Sequence, residues 1–263
     1  MSSIVQLAAL GTLVLLVQMF VLWAIAMRIS NAGLVDVGWT IGLPILGLLY
    51  AGLGPGYWLR QWLLAAMVLI WGLRLSSHLL RRLLAEPEDG RYREIRRRWE
   101  GSNIALRFLW FFEFQGLLDV LLSLPMLLVA QNRAPRLSGF EYAGFALWLL
   151  AVGGESAADA QLAAFKRSPV NRGRVCNRGL WRYSRHPNYF FEWLVWVAWM
   201  LFALGSPYGW LSAISPALML YFLLRVTGVA ATEAHALKTR GEEYAEYQRS
   251  TSSFLPWFPK RTG

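Results

Sequence analysis

The sequence predicts an all-α, polytopic membrane protein of seven transmembrane helices. Of its 263 residues 56% are hydrophobic and only 16% are charged, against ~25% charge in soluble domains. The mean hydropathy of +0.37 reflects apolar runs of bilayer length that follow one another with little between them. A helix needs about 20 apolar residues to cross the hydrocarbon core. The runs that qualify are Ile4 to Met27, Leu34 to Leu53, Trp58 to Leu80, Ile104 to Ala130, Phe140 to Leu162, Tyr189 to Leu204 and Trp210 to Ala231.

Each run has its own punctuation. Gly54-Pro55-Gly56 closes the second, Pro135 sits in the turn after the fourth, and Gly205-Ser206-Pro207 follows the sixth, all residues that end helices and form turns. The sixth is the shortest, but Trp193, Trp196 and Trp199 keep it apolar. The first run has no charged residue ahead of it and no small-residue cleavage site, so it reads as a retained helix. No repeat or low-complexity linker divides the chain, and residues 1–263 read as a single domain.

Orientation follows from the arginines. Arg81 to Glu100, Lys166 to Arg185 and a tail with Lys238, Arg240, Arg249, Lys260 and Arg261 are the basic segments. Seven spans put all three on one side, and basic loops face the cytoplasm. The N-terminus is then outside and the C-terminus cytoplasmic, as expected in a bacterial inner membrane. The formal charge of +10 does not point to nucleic acid, because Glu86, Glu88, Asp89, Glu94 and Glu100 dilute the Arg91 to Arg98 cluster. One cysteine, Cys176, excludes a disulfide framework or four-thiolate metal site and reads as a small loop residue. No metal and no obligate protein partner are expected.

Ionisable groups at membrane depth cost a few kcal/mol and mark sites by default. Asp36, Arg74, His78, Glu113, Glu155, Asp159 and Glu192 lie toward the cytoplasmic ends of their spans under this topology. Arg74 and His78 share a helix face, as do Glu155 and Asp159. The alternatives are interfacial snorkelling or interhelical salt bridges, such as Asp36 with Arg74. The number of such groups on one side favours a polar cavity beneath basic loops, suited to a phosphate-bearing ligand.

The most specific stretch runs from Asn177 to Trp193. Arg178, Arg182, Arg185 and His186 precede a helix start preorganised by Pro187. Arginine forks bind phosphate, Asn188 and Glu192 offer an amide and a carboxylate, and Tyr183, Tyr189 and Trp193 offer flat rings. A nucleotide would suit these groups, although a basic loop at a membrane surface shares part of the pattern.

The run Gly179-Leu180-Trp181-x-Tyr183-Ser184-Arg185-His186-Pro187-Asn188-Tyr189, with Glu192 after it, resembles the C-terminal part of the steroid 5α-reductases and their bacterial relatives. Glu155-x-x-x-Asp159 with Lys166, and Glu233, His235, Tyr244, Tyr247 and Phe254-Leu255-Pro256, are similar to the same family. The resemblance covers about residues 150–258. Asp36 to Trp39, Trp71 to His78 and Phe112-Glu113-Phe114-Gln115 agree more loosely. It implies a seven-helix fold with NADPH in a cytoplasm-facing cavity and reduction of an enone in a hydrophobic, steroid-like small molecule. On this reading Lys166, Arg172, Arg174, Arg178, Arg182 and Arg185 are phosphate candidates. Glu155, Asp159, Asn188 and Glu192 face the nicotinamide and ribose, and the remaining motif and tail residues complete the cofactor site.

The competing resemblance is to isoprenylcysteine and phospholipid methyltransferases, which share Arg-His-Pro-x-Tyr but bind S-adenosylmethionine. Asn188 with Glu192, and a basic loop suited to several phosphates, favour the reductase. Hydride addition to an enone leaves charge on the carbonyl oxygen that a donor must stabilise. The family implies a glutamate on the second helix and a tyrosine on the third. Here Asp36 occupies the second span and the third has no tyrosine after Tyr57. Asp36 with His78 or Arg74, and Glu113 or Gln115, are the expected carbonyl-polarising groups.

Overall fold

A computed structural model describes residues 3–101, 103–226 and 228–260. Among these the fold is entirely helical: α1 (Ile4–Arg28), α2 (Leu34–Leu53), α3 (Trp58–Ala85), α4 (Gly90–Arg98), α5 (Ile104–Leu122), α6 (Leu124–Val129), α7 (Gly139–Arg167), α8 (Pro187–Ala203), α9 (Ile214–Tyr221) and α10 (Val229–Ser250). Among the described residues four stretches are long and apolar enough to cross a membrane: α1, α2, α3 and Gly209–Ser250. The other expected spans meet this standard less fully. Helix α8 has 17 residues, α5 carries Arg107, Glu113 and Asp119, and α7 carries Glu141, Glu155 and Asp159.

Two of the runs are interrupted. Ile104 to Ala130 is α5 and α6 with Ser123 between them, and Pro125 opens α6, where its missing N–H costs nothing. Trp210 to Ala231 is α9, a π-helical turn at Phe222–Val226 and the start of α10; Thr227, within that run, and Arg261 lie outside the described residues.

The chain packs as two compact units, Met1–Gly139 with Ala203–Ser212, and Phe140–Phe202 with Ala213–Gly263. In the first, α1 starts at a reciprocal cap: Gln6 N donates to Ser3 Oγ at 3.2 Å and Ser3 N to Gln6 Oε1 at 2.8 Å, satisfying two end donors. Helices α2 and α3 approach closely where Gly72 faces Pro44; a Cβ on Gly72 would lie 2.2 Å from Pro44 Cγ and 3.0 Å from Thr40 O. Small residues permit such contact where lipid supplies no hydrophobic drive. Arg60 is buried and its guanidinium caps the carbonyls of Asn132, Ala134 and Arg136. Asn132 Nδ2 in turn donates to Gly205 O at 2.9 Å, so both expected turns are pinned.

The basic connection between α3 and α5 holds a helix that hydropathy alone does not reveal. Asp89 caps α4 by accepting from Arg91 N at 2.9 Å. Tyr92 is buried in a core with Met19, Val35, Phe108 and Phe112, against which Ile95 and Trp99 also pack. Five arginines therefore ride on a helix held by three apolar side chains.

Candidate functional site in the second unit

Gly179 begins the second unit's central loop at φ +57, and a Cβ there would lie 2.4 Å from Gln161 Oε1; both facts favour glycine. The contact lets Leu180 N donate to Gln161 Oε1 at 2.8 Å, and Trp181 Nε1 reaches Ala158 O at 2.9 Å, seating the loop on α7. Val175 N donates to Glu243 Oε1 at 3.1 Å, tying its other limb to α10. Tyr247 donates its hydroxyl to Trp181 O.

Arg185 and His186 meet Glu233 at the centre of this arrangement. Arg185 Nε and Nη2 each lie 2.7 Å from Glu233 Oε1, His186 Nε2 lies 3.2 Å from it, and Gln248 Nε2 donates to Oε2 at 2.9 Å. Arg185 Nη1 donates to the carbonyls of Gln248 and Thr251. Its donors are thus committed inside the protein, and the residue serves as a clamp on the loop. The His186 ring stacks on Tyr189 at 5.4 Å and 4°, and Tyr189 Oη is 3.3 Å from Thr232 Oγ1.

This framework surrounds an open cleft of about 360 Å³. Of the expected cofactor residues, Lys166, Arg172, Arg174, Arg185, His186, Asn188, Tyr189, Tyr244 and Tyr247 line it. Asn171, Cys176, Trp181, Thr232 and Arg240 line it as well. Two of these carry a sequence signal: Thr232 and Arg240 fall with Ala236 and Tyr244 at every fourth residue, one face of a helix. Gly241, at φ +54, breaks the helix within that face.

The other expected residues stand elsewhere. Glu155 is buried in α7, Asp159 half-buried, and Glu192 buried with its Oε1 accepting from Trp196 Nε1 at 3.0 Å. Trp193 Nε1 donates to Pro216 O at 3.0 Å. Arg178, Arg182, Tyr183 and His235 are exposed and lie off the cleft lining. Burial raises the Cys176 thiol pKa, outweighing a hydrogen bond with the Arg178 backbone and the charges of Arg178 and Lys166.

The expected polarising residues all belong to the first unit. Asp36 is held from α4: Tyr92 Oη donates to Asp36 Oδ1 at 2.6 Å and Arg91 Nη2 to Oδ2 at 3.2 Å. Burial, then the Asp36 charge and hydrogen bond, hold the Tyr92 hydroxyl well above its ordinary pKa. Arg74 is half-buried and His78 exposed, with Glu113 and Gln115 half-buried on α5. Glu113 faces an apolar groove with Val17, Phe20, Trp110 and Phe114. Among the described residues no group of three His, Cys, Asp or Glu is placed to hold a metal ion.

An all-helical membrane protein with a cationic, aromatic-walled cleft in one unit is the class these features define. The chain belongs to a family described as a protein of unknown function (DUF1295), whose model matches residues 22–251. That family is related to the steroid 5α-reductases. No curated protein and no solved structure matches the chain.

Proposed function

We propose that this protein is a membrane-embedded, NADPH-dependent reductase acting on the C=C bond of an enone in a steroid-like lipid. The observation that carries the reading is the cleft of the second unit. Lys166, Arg172, Arg174 and Arg240 line it beside Asn188 and the stacked His186–Tyr189 pair. Clustered arginine forks suit phosphates, the aromatic face suits a planar ring, and the Asn188 amide suits a carboxamide or ribose hydroxyl.

NADPH, when bound, supplies the hydride. The chain's own residues hold and orient it: the four cations take the phosphates, and the Arg185–Glu233 clamp keeps the loop in place. In the first unit, Asp36 and Tyr92 are the leading polarising pair. Tyr92 keeps its proton over the physiological range and in this structure donates it to Asp36, with Oη 2.6 Å from Oδ1; turned from Asp36 to a substrate, the same hydroxyl would be the donor to a carbonyl oxygen that gains charge. This tyrosine takes the place of the one missing from α3. Glu113, Gln115, Arg74 and His78 are the further candidates.

Topology belongs to the same proposal. Seven spans place the basic connections and the C-terminus in the cytoplasm, where NADPH is available, with the protein in a bacterial inner membrane.

The deciding experiment is binding of NADPH and S-adenosylmethionine to the purified protein in detergent, with Arg172→Ala/Arg174→Ala as the control. Binding of NADPH that the double variant weakens supports the reductase. Binding of S-adenosylmethionine without NADPH overturns it in favour of a methyltransferase.

A further inference from the structure

Beyond α10 the chain doubles back along the loop that carries Arg185. Arg185 N donates to Ser252 O at 2.8 Å, Ser184 Oγ to Phe254 O at 2.8 Å, and Trp257 N to Tyr183 O at 2.9 Å. Lys260 N closes the strap onto Ser250 O at 2.8 Å. One side chain faces inward: Phe254 is buried against Phe190 and Trp193 of α8, with ring centroids at 5.8 and 6.1 Å.

The next apolar residues face outward. Leu255, Trp257 and Phe258 are 59%, 72% and 76% exposed, and the Phe258 ring lies edge-on to Tyr183 at 6.0 Å. Backbone hydrogen bonds and Phe254 already hold the strap, so internal packing does not explain these rings. Leaving such side chains in water forgoes about 1.5–3 kcal/mol each. Arg182 and Lys260, both exposed, are cations that neighbour Tyr183 and Phe258 in the sequence.

Aromatic rings flanked by cations match the headgroup boundary of a bilayer, and the cations favour anionic lipid. The depth agrees. Helix α8, 17 residues long, measures about 25 Å, close to the hydrocarbon thickness of about 30 Å. The strap packs on the first turns of that helix, where a span meets the headgroups.

We infer that the Leu255–Phe258 strap is a membrane-interface anchor, seated among anionic lipid headgroups, that fastens the Arg185 loop to the bilayer surface. The inference rests on the proposed reading of α8 as a span.

Nitroxide labels at Phe258→Cys and at Val197→Cys within α8, each in a Cys176→Ser background, separate the two. Electron paramagnetic resonance in nanodiscs reads collisions with oxygen, which partitions into lipid, and with a water-soluble nickel chelate. The expected result is a deep label at position 197 and, at position 258, collisions with oxygen exceeding those with nickel. Adding phosphatidylglycerol to phosphatidylcholine discs deepens the second label further. A deep label at 197 with a water-exposed label at 258 overturns the anchor alone. A water-exposed label at 197 overturns the reading of α8, and the anchor argument with it. Shielding of 258 from both reagents, with dipolar broadening that magnetic dilution removes, assigns the surface to a second copy and overturns the anchor.

Discussion

Arg185 and Glu233 are joined through two contacts of 2.7 Å between side chains only 9% and 16% exposed, and this pair fastens α10 to the loop before α8. Removing one partner of a largely buried ion pair leaves the other charge uncompensated. Arg185→Ala is expected to destabilise the protein by about 3 kcal/mol, seen as a lower Tm in detergent. Arg185→Lys recovers part of the loss, since an ammonium lacks the planar fork. An unchanged Tm with weakened NADPH binding would place Arg185 among the ligand contacts instead.

Arg172 and Arg174 are exposed and line the cleft, so their loss falls on binding rather than folding. Each alanine substitution should weaken NADPH binding by roughly tenfold, the scale of one hydrogen bond to a charged group, with Tm unchanged. The weakening is expected to be smaller for NADH, which has one phosphate fewer. Titrations of the single variants with both nucleotides, by calorimetry or fluorescence, give the comparison.

Asp36 and Tyr92 are predicted to govern turnover without governing cofactor affinity. Tyr92→Phe and Asp36→Asn should each lower the rate of enone-dependent NADPH oxidation by about 100-fold, the lower range for a positioned proton donor. NADPH affinity should stay within twofold or so of the parent, a change of less than ~0.5 kcal/mol. Equal losses in rate and in cofactor binding would assign the pair a structural role.

Cys176 offers a reporter of the cleft. Its thiol is raised by burial, so the reactive thiolate is scarcer near neutrality than in a free cysteine and grows as pH rises. Iodoacetamide labelling is therefore expected to be slower near neutrality than for a free cysteine and to accelerate as pH rises. Because Cys176 lines the cleft, saturating NADPH should slow it further. Mass spectrometry of the labelled peptide reads both effects, and labelling indifferent to NADPH would separate the cleft from the cofactor.

The sequence by itself determined the helical membrane class, since runs such as Ile4 to Met27 and Leu34 to Leu53 have the length and apolarity that a bilayer demands. It also singled out residues that the fold gathers: Arg185, His186, Asn188 and Tyr189 line one cleft with the tail tyrosines Tyr244 and Tyr247. Such signals are local, carried by composition and by residues a few positions apart. Partner choice was decided only by the tertiary structure. Tyr92 reaches Asp36 across 56 positions and Glu233 reaches Arg185 across 48, separations at which no periodicity speaks. An arginine before a helix reads alike whether it faces a phosphate or a carboxylate of its own chain. Packing assigns Arg185 to the second role and places Arg172, Arg174 and Arg240 on the cleft wall.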